Sequence, residues 1–251
     1  MIIYLAGSGT QHLQMSESIG KINKLDSFMY MTDTFAKFIP HYKRYILDSG
    51  AFTFIMQHRK GKKVSVSIDS FTDKYIDFVN AHNIEHFFEM DVDSTHGYDK
   101  VKSLRRRIES RTGRPTIPVF HKNRGLDDWK AMCKDYEFIA LGIGGKDVSF
   151  TDWKTFKMFN DYAKSVGCRV HCLGVTGMSV LSKVDFYSVD SSSWTCGNRF
   201  KEIHFFRNGQ IEKLTDKDAE LKDMRIKDHA ALAVHNMEEW IKFSRYAELN
   251  Y

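Results

Sequence analysis

Eight short apolar runs, separated by longer polar stretches, constrain this 251-residue chain more than any other feature. The runs are Ile2–Ala6, Phe28–Met31, Arg44–Leu47, His86–Met90, Thr116–Phe120, Phe138–Leu141, Arg169–Leu173 and Phe186–Val189. Runs that are apolar throughout suit strands covered on both faces. Helical periodicity lies between them, over Asp69–Ala81, Tyr98–Ser110, Leu126–Lys134, Thr151–Val166 and Met178–Lys183. Strands alternating with helices predict an α/β fold with a parallel sheet, and eight of them predict a closed (β/α)8 TIM-type barrel, for which this length is ordinary. An open doubly wound sheet is the alternative. It usually has fewer strands, and no G-x-G-x-x-G follows the first run.

After Trp194 the pattern changes. Ile203–Arg207, Asn208-Gly209 and Gln210–Leu214 predict a β-hairpin with a type I′ turn. Asp218–Lys227 and Asp228–Tyr246 predict helices, the last with Leu232, Trp240, Ile241 and Phe243 on one side. This tail reads as a cap on the barrel, within a single domain over 1–251 whose barrel occupies about 1–200.

If the runs are barrel strands, their carboxyl ends share one face, where barrel sites are built. Those ends are Asp48-Ser49-Gly50, Asp91-Val92-Asp93, His121, Gly142-Ile143-Gly144-Gly145, Gly174-Val175-Thr176-Gly177 and Asp190-Ser191-Ser192-Ser193. Carboxylates, one imidazole and bare backbone converge, without lysine or arginine. Asp and Gly also simply terminate strands, which explains any one of these ends and explains all six together poorly. Asp93 has a competing role as helix N-cap, since Asp93-Ser94-Thr95 is good capping chemistry. The glycine-rich turn after Leu141 would let backbone approach a flat ligand or cradle a phosphate.

Other signals are weaker. Cys168 and Cys172, with Cys196, invite a metal reading, but no second close pair exists and buried strand cysteines are the preferred account. The basic runs Lys100–Arg107, continuing to Arg111 and Arg114, and Arg59–Lys63 fit either a solvated face or a polyanion partner. The net charge of +5 permits a nucleic-acid partner without demanding one. Four cysteines are too few for a disulfide framework, so reduced thiols in the cytoplasm are expected. The apolar N-terminus reads as a first strand rather than a signal peptide, and no run approaches a membrane span.

Asp48-Ser49-Gly50-Ala51-Phe52 resembles the Asp-Ser-Gly-Gly-Phe motif of the tRNA-guanine transglycosylases. Met90-Asp91-Val92-Asp93, Ile139-Ala140-Leu141-Gly142, Leu173-Gly174-Val175-Thr176-Gly177 and Ser188-Val189-Asp190-Ser191-Ser192-Ser193-Trp194 follow in the family's order. The set spans roughly residues 44 to 200 and is closest in style to the divergent, phage- or island-encoded branch that acts on DNA.

The resemblance implies a pentosyltransferase that exchanges guanine in nucleic acid, DNA in preference to tRNA, for a 7-deazaguanine base such as the 7-cyano form. It implies Asp190 as the nucleophile at C1′ and Asp48 as the general acid or base. Asp91 would read the guanine N1–H and 2-amino edge. The Gly142–Gly145 backbone, with Gly144, would meet O6 or the 7-substituent. Phe52 would line the base slot, and His121 falls near a base-reading position. Ser49, Gly50 and Asp93 would complete the substrate-binding set. No cofactor or metal is implied, and a homodimer is allowed for. A carboxylate trapping C1′ suits oxocarbenium-like chemistry, and the target base must leave its stack to be reached.

Several departures stand out. The family's Cys/His zinc site and its subdomain are absent, Ala51 replaces the second motif glycine, Thr53 replaces the following Gln, and Gly142-Ile143-Gly144 stands for Gly-Gly-Leu. They bear on the tRNA substrate more than on the chemistry. Asp185 competes with Asp190 as nucleophile if the last strand ends early. Two other readings use the same fold: an N-glycosylase or hydrolase with the same carboxylates, and a non-catalytic nucleic-acid-binding barrel.

Overall fold

A computed structural model describes residues 1–7, 18–59, 67–144, 148–196, 202–215, 218 and 229–251. Seven parallel strands pair in the order β3-β2-β1-β7-β6-β5-β4. They are β1 (Ile2–Ala6), β2 (Asn23–Ser27), β3 (Arg44–Asp48), β4 (Val119–Phe120), β5 (Phe138–Leu141), β6 (Arg169–Cys172) and β7 (Ser188–Ser191). Residues 86–90 fill the gap between the two edges. The Leu47 N–H donates to the His86 carbonyl at 3.0 Å, the Phe88 N–H to Leu47 at 2.9 Å, and the Ile117 N–H to Phe87 at 2.8 Å. Parallel bridges Leu47↔Phe87 and Phe88↔Ile117 complete the circuit. The sheet closes through eight parallel segments in chain order, which is the expected α/β barrel.

Alternate residues line the inside. Ile2, Tyr4, Ala6, Leu25, Ile46, Phe88, Ile117, Val119, Phe138 and Ala140 form one interior cluster. The opposite faces of the same strands, such as Ile3, Leu5, Leu141 and Cys172, pack under the helices. In chain-order numbering, helices α1 (Asp33–Ala36), α2 (Ala51–Arg59) and α4 (Asp93–His96) were not expected from the sequence, whereas α3 (Ile68–Ala81), α5 (Tyr98–Thr112), α6 (Gly125–Asp135), α7 (Trp153–Ser165), α8 (Met178–Leu181) and α9 (His229–Asn250) match their expected places. Helix α3 shows why: the Ser67 hydroxyl caps its start, accepting from the Ser70 N–H, and Ile68, Phe71, Thr72, Tyr75, Ile76 and Val79 repeat at helical spacing on its buried face.

The hairpin forms as read, with β8 (Glu202–Arg207) and β9 (Gln210–Thr215) antiparallel. Asn208 and Gly209 both take positive φ, 53° and 78°, as a type I′ turn requires. Helix α9 buries Leu232, Trp240, Ile241 and Phe243, and most of its apolar face joins the layer over Ile3 and Leu5. The cap is thus packed onto the barrel wall. The expected helix over 219–227 lies outside the described residues, as do Lys60–Lys63 and Gly145. Among the described residues no helix is long and apolar enough to cross a membrane.

Two strand assignments are corrected. The second strand is Asn23–Ser27, and Phe28–Tyr30 forms a 3-10 turn. Its sequence looks polar because its outward pair is a buried salt bridge, Lys24 to Asp26, while Asn23 spends its amide on Ile3, Ser244 and Glu248. A search for apolar runs passes over such a strand. The last strand begins at Ser188 rather than Phe186, which instead packs into the outer layer.

Candidate active site

The later register of β7 decides where its acid stands. Asp190 lies within the strand, paired with Tyr4 of β1. It therefore occupies the inward face, two residues along from Ser188. Asp48 ends β3, opposite Ser27 of β2 and two residues beyond the inward-facing Ile46. Both carboxyls rise from the carboxyl end of the barrel interior. Asp185 is separate: it precedes the strand on the amino side and pairs with Lys164 on the surface, with Asn160 also reaching it.

Asp48 has the clearest electrostatic signature. Burial drives its carboxyl up from 3.8 to about 6. The Ser27 hydroxyl and the Gly50 N–H, which donates to Oδ2 at 3.1 Å, pull the other way. The Ser27 Oγ meets no full hydrogen-bond geometry, so its influence is that of a nearby dipole. The charges of Asp190 and Asp91 push the value further up, so both lie within electrostatic reach of Asp48.

Gly50 is required where it stands. Its φ is +73°, and a Cβ there would lie 2.7 Å from the Met29 Cβ. Ser49 turns the other way, as strand alternation dictates. It is buried, and its Oγ accepts from the Ala51 N–H at 3.5 Å. Ser49 is therefore a turn residue rather than a pocket residue. Phe52, at the start of α2, is 74% exposed on the rim.

Across the mouth, the Asp91 Oδ2 meets the His121 Nε2 at 2.7 Å. Burial lowers the His121 pKa, and the hydrogen bond to Asp91 and its charge more than reverse this, for a net rise. The other ring nitrogen, Nδ1, lies 3.0 Å from the Gly142 carbonyl. Arg124, unseen among the strand ends in the sequence, stands beside this pair. Its Nε donates to the Asp93 Oδ2 at 2.9 Å, its Nη2 is 3.9 Å from the Asp91 Oδ1, and its guanidinium lies over the Tyr98 ring at 3.9 Å. Asp93 is thereby committed to Arg124. It is also the first residue of α4, whose N-cap is Val92, so it is not the capping side chain.

The glycine turn serves packing. A Cβ at Gly142 would meet Val119 at 3.0 Å and the His121 ring at 3.2 Å, and one at Gly144 would meet the Phe150 ring at 2.5 Å. The Gly142 N–H is spent on the Phe120 carbonyl. These glycines admit neighbouring rings, so at Gly142 the backbone is not free to receive a ligand.

Sequence reasoning also missed His171. In the sequence it sits inside the apolar run Arg169–Leu173, between Val170 and Cys172, with nothing to mark it. Strand alternation turns it inward, where it reaches the Asp190 Oδ1 at 3.2 Å. The Gly174 N–H reaches the same oxygen at 2.8 Å. Cys172 faces the outer layer, and hydrogen bonding with Cys168 raises the Cys133 thiol. Among the described residues no three His, Cys, Asp or Glu side chains are grouped to hold a metal.

The basic helix is also accounted for. Lys100 pairs with Asp69, Arg107 with Asp69 and Asp73, and Arg111 with Asp73 and Asp77, all across α3 and α5. Arg105 is buried against Glu89. Most of the charges in this run are paired with acids on the neighbouring helix. A cleft of about 720 Å³ lies at the opposite, amino-terminal end of the barrel, among His86, Arg114, Thr116, Phe138 and Arg169. Its position keeps it apart from the carboxylates.

Comparison with known proteins yields fold alone. No family model and no curated protein sequence matches the chain. A solved structure from Aquifex aeolicus VF5, described as a structural study, matches at 11% identity with a TM-score of 0.51, covering 95% of this chain and 92% of that one. The YdjI aldolase from Escherichia coli K12 matches at 10% identity with a TM-score of 0.49, covering 98% of this chain and 90% of that chain.

Proposed function

We propose that this barrel is a guanine transglycosylase that exchanges a guanine in nucleic acid, DNA in preference to tRNA, for a 7-deazaguanine base. The observation that carries the reading is the placement of Asp48, Asp91 and Asp190 at one end of the barrel, close enough for the charges of the other two to act on Asp48. In this reading Asp190 attacks C1′ and expels the base. Asp48, with a carboxyl near 6, can hold or release a proton around neutral pH, as a group managing the base proton must. His121 fixes the Asp91 Oδ2 at 2.7 Å, and Oδ1, with the Arg124 Nη2 as a longer ion-pair neighbour at 3.9 Å, can still accept from a donor edge. The exposed Phe52 offers an apolar face at the rim for an unstacked base.

Labelled 7-cyano-7-deazaguanine supplied with duplex DNA, single-stranded DNA and tRNA tests this. Incorporation into DNA that is lost in Asp190→Asn is the expected result. Incorporation surviving that change removes Asp190 as nucleophile. Base release without incorporation replaces exchange by hydrolysis, and binding without either identifies a non-catalytic barrel.

A further inference from the structure

We infer that His171 is a positioning residue that reserves one oxygen of Asp190, Oδ2, for bond making. The inference rests on the nucleophilic role proposed for Asp190 and deepens it. His171 is fully buried inside the barrel. Its ring is bounded by Phe88 at 5.4 Å and Tyr4 at 5.9 Å between centroids. An imidazole held this way must satisfy both nitrogens from its surroundings.

The register of the sheet supplies both partners. His171 of β6 pairs directly with Ser188 of β7, and Asp190 lies two residues further along the same inward face. Nδ1 stands 2.9 Å from the Ser188 Oγ and Nε2 stands 3.2 Å from the Asp190 Oδ1. An ionised carboxylate only accepts, so Nε2 carries the hydrogen. Nδ1 then accepts from the Ser188 hydroxyl, and both ring nitrogens are satisfied.

The Gly174 N–H adds a second donor to the same Oδ1, at 2.8 Å. Oδ1 therefore holds two donors, one from a fixed ring and one from backbone, and among the described residues no donor reaches Oδ2. In the bond-making step an Oδ2 electron pair forms the bond to C1′. The C1′–N9 pair leaves with the base, which takes the proton held by Asp48. Oδ1 becomes the ester carbonyl and remains between its two donors. When N9 of the incoming base attacks C1′ and gives its proton to Asp48, the C1′–Oδ2 pair returns to the carboxylate in the same cradle, so the donors stabilise it as a leaving group.

The experiment uses the full chain. Covalent enzyme–nucleic acid adduct is trapped by rapid denaturation for wild type, His171→Phe, His171→Gln and Ser188→Ala, with folding followed by circular dichroism. Phe keeps the ring volume and removes the donor, whereas Gln returns a donor near the Nε2 position. The expected result is a roughly 100-fold slower adduct formation and kcat in His171→Phe, with KM within about twofold and most of the rate regained in His171→Gln. An adduct rate in His171→Phe equal to wild type overturns the inference.

Imidazole nitrogen NMR of the wild type and Asp190→Asn proteins reads the arrangement without turnover. An Nε2–H tautomer of His171 whose signal moves in Asp190→Asn supports the inference, and an Nδ1–H tautomer overturns it even if His171→Phe fails to fold. Wild type that forms no adduct on DNA or tRNA overturns the transglycosylase reading and, with it, the bond-making role of Oδ2. The NMR result then reports separately whether the His171–Asp190 contact exists.

Discussion

Replacing Asp48 with asparagine removes a carboxyl that the fold holds at about 6 against an ordinary 3.8. Below about pH 4 this group is protonated in both the folded and the unfolded chain and contributes no difference. Between about pH 4 and about pH 6 the unfolded chain ionises this carboxyl while the folded protein keeps it protonated, so stability is progressively lost, and above about 6 the folded protein carries the disfavoured charge at full cost. A difference of about 2.2 between the two values, at about 1.4 kcal/mol for each tenfold change, amounts to about 3 kcal/mol. Urea unfolding of wild type and Asp48→Asn at about pH 3 and about pH 8 isolates it, because the other titrating groups are common to both proteins. The stability of the variant relative to wild type should improve by about 3 kcal/mol between the lower and the higher pH. Parallel pH dependences would refute the burial argument for Asp48. The same shift predicts a limb near pH 6 in the exchange rate. The Asp48 titration itself, followed by side-chain carboxyl NMR, should move to lower pH in Asp190→Asn, because the Asp190 charge helps to raise Asp48.

Gly50→Ala should cost about 2 kcal/mol or more in thermal or urea unfolding, from its positive φ and the Met29 Cβ at 2.7 Å; an unchanged midpoint would contradict the required conformation. Lys24→Met leaves Asp26 buried without its partner and should cost about 3–5 kcal/mol, while Lys24→Met with Asp26→Leu should recover much of that. A single variant within about 1 kcal/mol of wild type would show that the pair is not desolvated as its burial indicates. Asp185→Asn should leave base exchange within about twofold and stability within about 0.5 kcal/mol, since its ion pair with Lys164 is on the surface; loss of exchange would return the nucleophile's role to Asp185.

The barrel was largely legible because most of its strand segments carry apolar runs, with helices between them. Asn23–Ser27 was illegible for a physical reason: a lysine and an aspartate neutralise each other in the wall, and an asparagine satisfies its amide on the C-terminal helix. The strand ends carrying Asp48, Asp91 and Asp190 were readable as a set, because acids at successive strand termini meet on one face of a closed barrel. What each does there was less readable. Ser49 and Asp93 sit within the same motifs as pocket candidates, yet one points outward and the other is held by Arg124. The charged run on α5 looked like a polyanion surface because its partners, Asp69, Asp73 and Asp77, lie on another helix about 30 residues earlier in the chain, and only packing brings the two together.

By itself the amino-acid sequence determined the alternation of strand and helix, the hairpin at Asn208-Gly209, and the chemistry available at the strand ends. Those follow from local periodicity, turn conformations and side-chain type, which neighbours in sequence decide. Tertiary structure alone decided the register of β7, and hence that Asp190 stands inside the barrel with His171 beneath one of its oxygens. A shift of one residue along a strand turns every side chain to the other face. That choice is made by pairing with β1 and β6, not by the strand's own residues.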